Sequence, residues 1–468
     1  MARRTPLAVS ESLFFSMRTT PASAATSISS LKRSFGRETR SEWVTADLIC
    51  NDIESSLVYR AMRIPKKLWH KALISASMVR MSLSIGIVGL PNVGKSTLFN
   101  ALTKKGVLIA NYPFATIDPS VGVVAVPDHR LDALSKMSGS TKTIPAAVEF
   151  VDIAGLVKGA SEGEGLGNQF LTNIRQTDAI AEVVRLFDDE DIHHVAGQVD
   201  PRHDIEIIDM ELVLADLQTA EKMLERAERD SKGNDKDIVA QRDVLRKLVP
   251  ALQNGKAART VALDEKEALT AKAFQFLTMK PLLYVLNRKA GVVNVDAENG
   301  PRWRELQVYL EESGAAYCFV DAGIENELSD VHNDEKMDFR RELGVAEDGL
   351  DALIKAGYRL LDLISFFTTG EKETRAWTIL RGSTAPVAGA AIHSDFRDKF
   401  IRAEVIGWET LLAAGSQSKA RDKGQLRIEG KEYVVQDGDV LRLQCFGREL
   451  RHHVALEGVD EADAEDVV

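Results

Sequence analysis

The chain has 468 residues, is 44% hydrophobic and carries a formal charge of -11 at pH 7. That length supports about two to four domains, and the net charge argues against a protein that coats naked nucleic acid. Cys50, Cys318 and Cys445 lie far apart with no metal-ligand spacing, which reads as reduced thiols, and no stretch approaches the ~20 apolar residues of a membrane span.

Residues 1–80 read as an appended leader, rich in Ser, Thr and Arg at first and without a clear period. Because Met81 sits just before a buried-strand pattern, a dispensable leader or a misassigned start is expected. The acid-poor opening from Met1 to Arg40 supports the alternative, an organelle transit peptide. From Leu83 a near-continuous apolar run ending in glycine predicts a buried strand, followed by a glycine loop and a helix from Ser96 to Leu102. Further strands are expected at Ala147 to Asp152, Ala179 to Phe187, Leu282 to Asn287 and Ala316 to Val320, giving an α/β sheet of parallel type.

Between the strands near Phe187 and Leu282, the residues Val213, Leu217, Ala220, Leu224 and Ala227 recur at alternating spacings of four and three, the period of a coiled-coil seam. A polar break follows, and Ile238, Leu245, Leu248 and Leu252 form a second stripe, so two antiparallel helices are expected. After about Leu363 the pattern changes to short strands, including Arg375 to Leu380, Tyr433 to Val435 and Val440 to Cys445, which predicts a small α+β module. The tail from Glu457 is acidic.

The chemistry is concentrated in Gly89-Leu90-Pro91-Asn92-Val93-Gly94-Lys95-Ser96, a P-loop. Its glycines let successive backbone N–H groups turn inward on phosphates, Lys95 bridges the β- and γ-phosphate oxygens, and Ser96 offers an oxygen to magnesium. Val93, Gly94 and Thr97 complete the phosphate cradle. At the end of an apolar strand, Asp152 places a carboxylate beside the metal, and Gly155 three residues on offers an N–H to the γ-phosphate. Thr116 is the candidate switch threonine, reaching magnesium only when the γ-phosphate holds its loop. The four-glycine segment Lys158 to Gly167 has the composition of a switch loop.

Four stretches, Gly-Leu-Pro-Asn-Val-Gly-Lys-Ser-Thr, Asn-Tyr-Pro-Phe-Ala-Thr-Ile-Asp-Pro, Asp-Ile-Ala-Gly-Leu-Val-Lys-Gly-Ala and Gly-Glu-Gly-Leu-Gly-Asn, together resemble the Obg-like ATPases, the YchF family. The likeness extends over about residues 81 to 446. It implies a Ras-like nucleotide domain (81–203 and 280–362), an inserted helical coiled coil (204–279) and a C-terminal TGS module of β-grasp fold (363–446); residues 447–468 read as an acidic tail on composition alone. It also implies association with the ribosome and a cytoplasmic location. The leader has no counterpart in the family pattern. The main expectation is a switch-type ATPase; an Obg-type GTPase and a partner-binding scaffold with incidental hydrolysis are the alternatives.

Three residues refine that expectation. Leu156 replaces the water-orienting glutamine of Ras, so another group must help hydrolysis. His194 matches a flexible-loop histidine proposed for that role in the family, and a neutral imidazole accepts a proton near pH 7. Asn92 stands where related switch proteins recruit potassium, a brace of the loop being the alternative. At the base site, Asn287-Arg288-Lys289-Ala290 keeps the asparagine of the guanine-selecting Asn-Lys-x-Asp pattern and lacks its carboxylate, so selection for guanine is lost. The family usually carries glutamate at the position of Ala290, so the chain departs there too. Basic residues from Arg397 to Lys431 suggest RNA contact through the C-terminal module, with a mixed solvated surface as the alternative.

Overall fold

A computed structural model describes residues 83–105, 120–153, 168–189, 199–233, 235–343 and 348–445, with short strands at Trp43–Thr45, Arg63–Pro65 and Arg448–Glu449. The chain divides into two compact units, Met1–Met81 and Ser82–Val468. In the first, Trp43–Thr45 pairs antiparallel with Arg63–Pro65.

The second unit is built on a six-stranded sheet. Its strands are β1 (Ser84–Val88), β2 (Val121–Ala125), β4 (Ala147–Asp152), β5 (Ala179–Arg185), β6 (Leu282–Asn287) and β7 (Ala316–Val320), in the order β2-β4-β1-β5-β6-β7; a short strand β3 (Lys142–Ile144) belongs to another sheet. β1, β5 and β6 are buried along their whole length, which is why they read as continuous apolar runs. The expected all-parallel arrangement needs one correction: β2 runs antiparallel to β4. It is an edge strand whose residues alternate between buried and half-buried, and an antiparallel strand tolerates one solvated face at the edge of a parallel sheet.

Helices cover both faces. On one side α1 (Lys95–Lys104) and a late helix, Gly349–Leu360, bury Leu98, Leu102, Leu353 and Ile354 against the sheet. On the other, α2 (Asn168–Gln176) and the start of α3 (Pro201–Asp230) contribute Phe170, Ile174, Ile205, Ile208 and Leu212. α3 is 30 residues long, about 45 Å. Asp200 caps it by accepting from the His203 N–H, and Pro201 begins it, the favoured chemistry at a helix start. Beyond Leu212 its buried stripe changes partner. Val213, Ala220 and Ala227, with Leu217 and Leu224 beside them, pack on Val244, Leu245, Leu248 and Leu252 of α4 (Lys236–Gln253). Arg246 pairs with Glu228, and Gln253 bonds to Glu221, so the two helices are antiparallel. One helix therefore serves two cores, and the hairpin is rooted in the six-stranded sheet by its own first turns.

The C-terminal module contains β8 (Leu363–Thr369), β9 (Glu373–Leu380), β10 (Phe400–Gly407), β11 (Arg427–Glu429) and β12 (Asp439–Cys445). Its sheet runs β11-β10-β12-β8-β9-β3. The last member, β3, comes from between β2 and β4 of the six-stranded sheet and pairs parallel to β9, Lys142 opposite Glu373 through Ile144 opposite Arg375. The strand expected at Tyr433 to Val435 is reduced to a single bridge, Thr384 with Val434. Tyr433 N–H closes a turn onto Gly430, and Gly438, at φ 92°, turns the chain again soon after, so no length is left for a ladder.

Arg130, in the helix His129–Ser138 that precedes β3, locks the module in place. Its guanidinium reaches both oxygens of Asp437 at 3.0 and 3.2 Å, bonds Asp128 and lies 5.2 Å from the Phe367 ring centroid. Such a bidentate, partly desolvated pair is worth more than a surface ion pair.

Where the hairpin returns to the sheet, Asp216 of α3 is completely buried and accepts from Leu277 N–H, Thr278 N–H and Thr278 Oγ1 at 2.9, 2.7 and 2.7 Å. Removing one acceptor orphans three buried donors. Asp216→Ala is therefore expected to destabilise this region by about 3 kcal/mol or more, seen as a lowered melting temperature, whereas Leu214→Ala, at an exposed position of the same helix, leaves the melting temperature nearly unchanged.

Candidate functional site

The phosphate loop joins β1 to α1 at the carboxyl ends of the parallel strands, the edge where ligands bind in open α/β sheets. Gly89 and Gly94 take φ 145° and 100°, and Asn92 takes φ 64°, so the chain reverses repeatedly and its N–H groups converge, as in anion-binding nests. α1 begins at Gly94 with no side-chain cap and no acidic residue in its first turn. Its leading N–H groups, including those of Ser96 and Thr97, are the unsatisfied donors of a helix start, left for an anion.

Lys95 is buried, and its Nζ donates to the Leu90 carbonyl at 2.5 Å. Burial lowers its pKa to about 8, an effect partly offset by the negative charge of Asp152. Asp152 ends β4 opposite Ile87 of β1 and is itself buried, near enough to Lys95 for its charge to act on the ammonium. Ser96 is exposed. A hydroxyl and a carboxylate are the hard oxygen donors that magnesium takes when phosphates and water supply the remainder, so this pair fits the metal expected of the fold.

The asparagine of the base motif braces the phosphate loop. Asn287, buried at the end of β6, donates from Nδ2 to the Val93 carbonyl at 2.8 Å and accepts at Oδ1 from the Ala322 N–H at 3.0 Å. It ties the phosphate loop to the segment after β7. A Cβ at position 94 would lie 2.4 Å from that Nδ2, so the glycine is required for the brace as well as for its φ. Arg288 stacks its guanidinium 3.7 Å from the Phe319 ring centroid and pairs with Asp296 at 2.5 Å. Lys289 pairs with Asp189, and Asn294 closes the loop by bonding the Lys289 N–H and carbonyl. Ala290 contributes no side-chain acceptor.

One carboxylate near this loop escaped the sequence reading. Asp321, the residue after β7, accepts from Ala290 N–H at 2.6 Å and from Ile324 N–H at 3.0 Å. Its only sequence signal is an acidic residue at a strand end that also caps the helix Ala322–Leu328. Thr116, Gly155 and His194 lie outside the described residues, as do Leu156 and the glycine-rich segment to Gly167.

Comparison with known proteins supplies the relationship. A model of 50S ribosome-binding GTPases matches residues 84–232, and a YchF-GTPase C-terminal model, described as a protein of unknown function, matches 363–445. A protein of Haemophilus ducreyi named ribosome-binding ATPase YchF is 50% identical over 365 residues, 78% of this chain and 99% of its own length. Its Bacillus subtilis namesake is 50% identical over 364 residues, with the same shares. The chain belongs to the YchF family. The structure titled as the Schizosaccharomyces pombe YchF GTPase matches with a TM-score of 0.70 at 36% identity, covering 78% of this chain and 98% of that one. As a YchF-family protein the chain has the α/β nucleotide domain and C-terminal module that the motifs implied.

The state of Lys95 makes a measurable prediction. A lysine with a pKa of about 8 in the free protein regains its proton when phosphate oxygens surround it. Binding of a nucleoside triphosphate above pH 8 is therefore expected to take up a fraction of a proton, rising with pH between about 7.5 and 9. Calorimetric titration in buffers of different ionisation enthalpy measures it. Lys95→Arg, whose guanidinium stays protonated, abolishes the uptake.

Proposed function

We propose that this YchF-family protein is a slow, switch-type ATPase whose nucleotide state controls its docking on the ribosome. The observation that carries the reading is the pairing of a phosphate loop preceding an uncapped helix with a base loop that lacks the guanine-selecting carboxylate at Ala290. The names of the bacterial relatives, ribosome-binding ATPases, support the partner and the nucleotide.

In this mechanism the N–H groups from Asn92 to Thr97 hold the β- and γ-phosphates, and Lys95 leaves the Leu90 carbonyl to bridge them. Ser96, Asp152 and Thr116 are the residues that would hold magnesium, which supplies charge neutralisation at the phosphate oxygens. Gly155 donates to the γ-phosphate, so loss of that phosphate on hydrolysis releases the segment that follows it. With Leu156 unable to orient water, His194 is the proposed general base or positioner, and slow intrinsic hydrolysis is expected. Asn92 is assigned to bracing the phosphate loop, in keeping with its left-handed backbone; equal hydrolysis rates in potassium and sodium would support that assignment.

The proposed RNA contact of the C-terminal module rests on exposed Lys419, Lys423 and Lys431. Several neighbouring cations are paired: Arg421 and Arg442 share Glu404, Arg427 reaches Glu429 and Asp439, and Lys399 holds Asp395, whereas exposed Arg402 bonds the neutral Gln444. The patch is accordingly a small one.

Titration of the full chain with ATP and GTP in magnesium buffer tests the assignment. ATP is expected to bind more tightly, because losing a bidentate charge-assisted pair removes on the order of a hundredfold of guanine preference; a GTP dissociation constant at or below that of ATP would overturn it. His194→Ala is expected to cut hydrolysis about tenfold or more with ATP affinity nearly unchanged, and an unchanged rate excludes the histidine.

A further inference from the structure

The loop that lacks a carboxylate at Ala290 has one delivered to it from the neighbouring strand. Asp321 Oδ2 lies 2.6 Å from the Ala290 backbone nitrogen, and Oδ1 lies 3.0 Å from that of Ile324. The placement is fixed from several sides. Arg288 N–H bonds the Val320 carbonyl, β6 and β7 pair in parallel up to Asn287 opposite Val320, and Ala322 N–H is held by Asn287. Asp321 is therefore locked between the base loop and the bracket to the phosphate loop, and it is only half-buried.

We propose that Asp321 is a specificity-determining residue of the nucleotide site, accepting the exocyclic amino group of adenine. The proposal rests on the ATPase reading above and extends it. A carboxylate offers about four lone-pair positions and no donor. Two are used by backbone N–H groups, one on each oxygen, which ties both oxygens to the protein and leaves one position on each. One of the two remaining positions is assigned to a ligand N–H. The 6-amino group of adenine donates there, whereas the 6-oxo group of guanine is an acceptor and is repelled by the negative charge. Loss of the acidic side chain at 290 thus removes selection for guanine, and the acid at 321 supplies selection for adenine from a different strand end.

The test compares ATP with purine riboside triphosphate, which lacks the amino group, and with GTP, all titrated into the full-length protein. Wild type is expected to prefer ATP over the deaminated analogue by about tenfold, the effect of one charge-assisted hydrogen bond. Asp321→Ser keeps a hydroxyl that caps Ile324 but withdraws the second acceptor, so the preference collapses towards unity while affinity for the analogue is retained. Asp321→Asn keeps one acceptor oxygen and replaces the other by a donor, and is expected to lose the preference in the same way. An ATP-to-analogue ratio unchanged in both variants, with melting temperatures near wild type, overturns the inference; so does a selective loss of GTP affinity, which would make Asp321 a guanine reader. Failure of the wild type to bind any of the three would instead defeat the nucleotide-hydrolase reading itself.

Discussion

Much of this molecule hangs on one amide. Asn287 holds the Val93 carbonyl of the phosphate loop with one end and the Ala322 N–H with the other, so the grip on phosphate and the grip on base are set by one buried side chain. A buried amide left without a partner at either end would carry the desolvation cost of an unpaired polar group, about 1–3 kcal/mol, so the two loops gain by keeping their spacing. That constraint gives the asparagine a structural task at the site whichever base is bound.

The same economy of connection recurs at larger scale. α3 buries its first turns in the nucleotide core and its remainder in the hairpin, so the arm and the sheet share a continuous rod. On the other flank, β3 extends the C-terminal sheet, and Arg130 clasps Asp437 across the same boundary. The hydroxyls of Ser138 and Ser140 bond Thr369 and Thr374 there as well. Domains joined by a shared sheet move together far more readily than domains joined by a loose interface, so a change at the nucleotide site has rigid paths to both potential docking surfaces.

What was legible in the sequence was whatever chemistry packs into contiguous residues. The phosphate loop, the buried strands β1, β5 and β6 and the stripe from Val213 to Ala227 each declare themselves within ten to thirty residues, because period and glycine placement are local properties. The antiparallel β2 was not legible, since strand direction depends on a partner elsewhere in the chain. Lys142–Ile144 was missed for a similar reason: three residues carry no period, and their partner lies some 230 positions on. Asp321 was overlooked because its role follows from proximity to Ala290, 31 residues away. Asn287 was recognised as part of the base motif, but its bracing of the phosphate loop was not, because the motif names the residue without saying where its amide points. The assignments at Thr116, Gly155 and His194 rest on the motifs alone.

The account turns on nucleotide occupancy governing partner docking, and the most direct measurement is co-sedimentation of the full chain with purified large ribosomal subunits. It should be run with a non-hydrolysable ATP analogue, with ADP and without nucleotide, for wild type and Lys95→Ala. The account predicts that wild-type pelleting differs several-fold between the ATP analogue and ADP, and that Lys95→Ala loses the difference while remaining folded. Equal pelleting of wild type under all three conditions would contradict it and leave a scaffold whose hydrolysis is incidental.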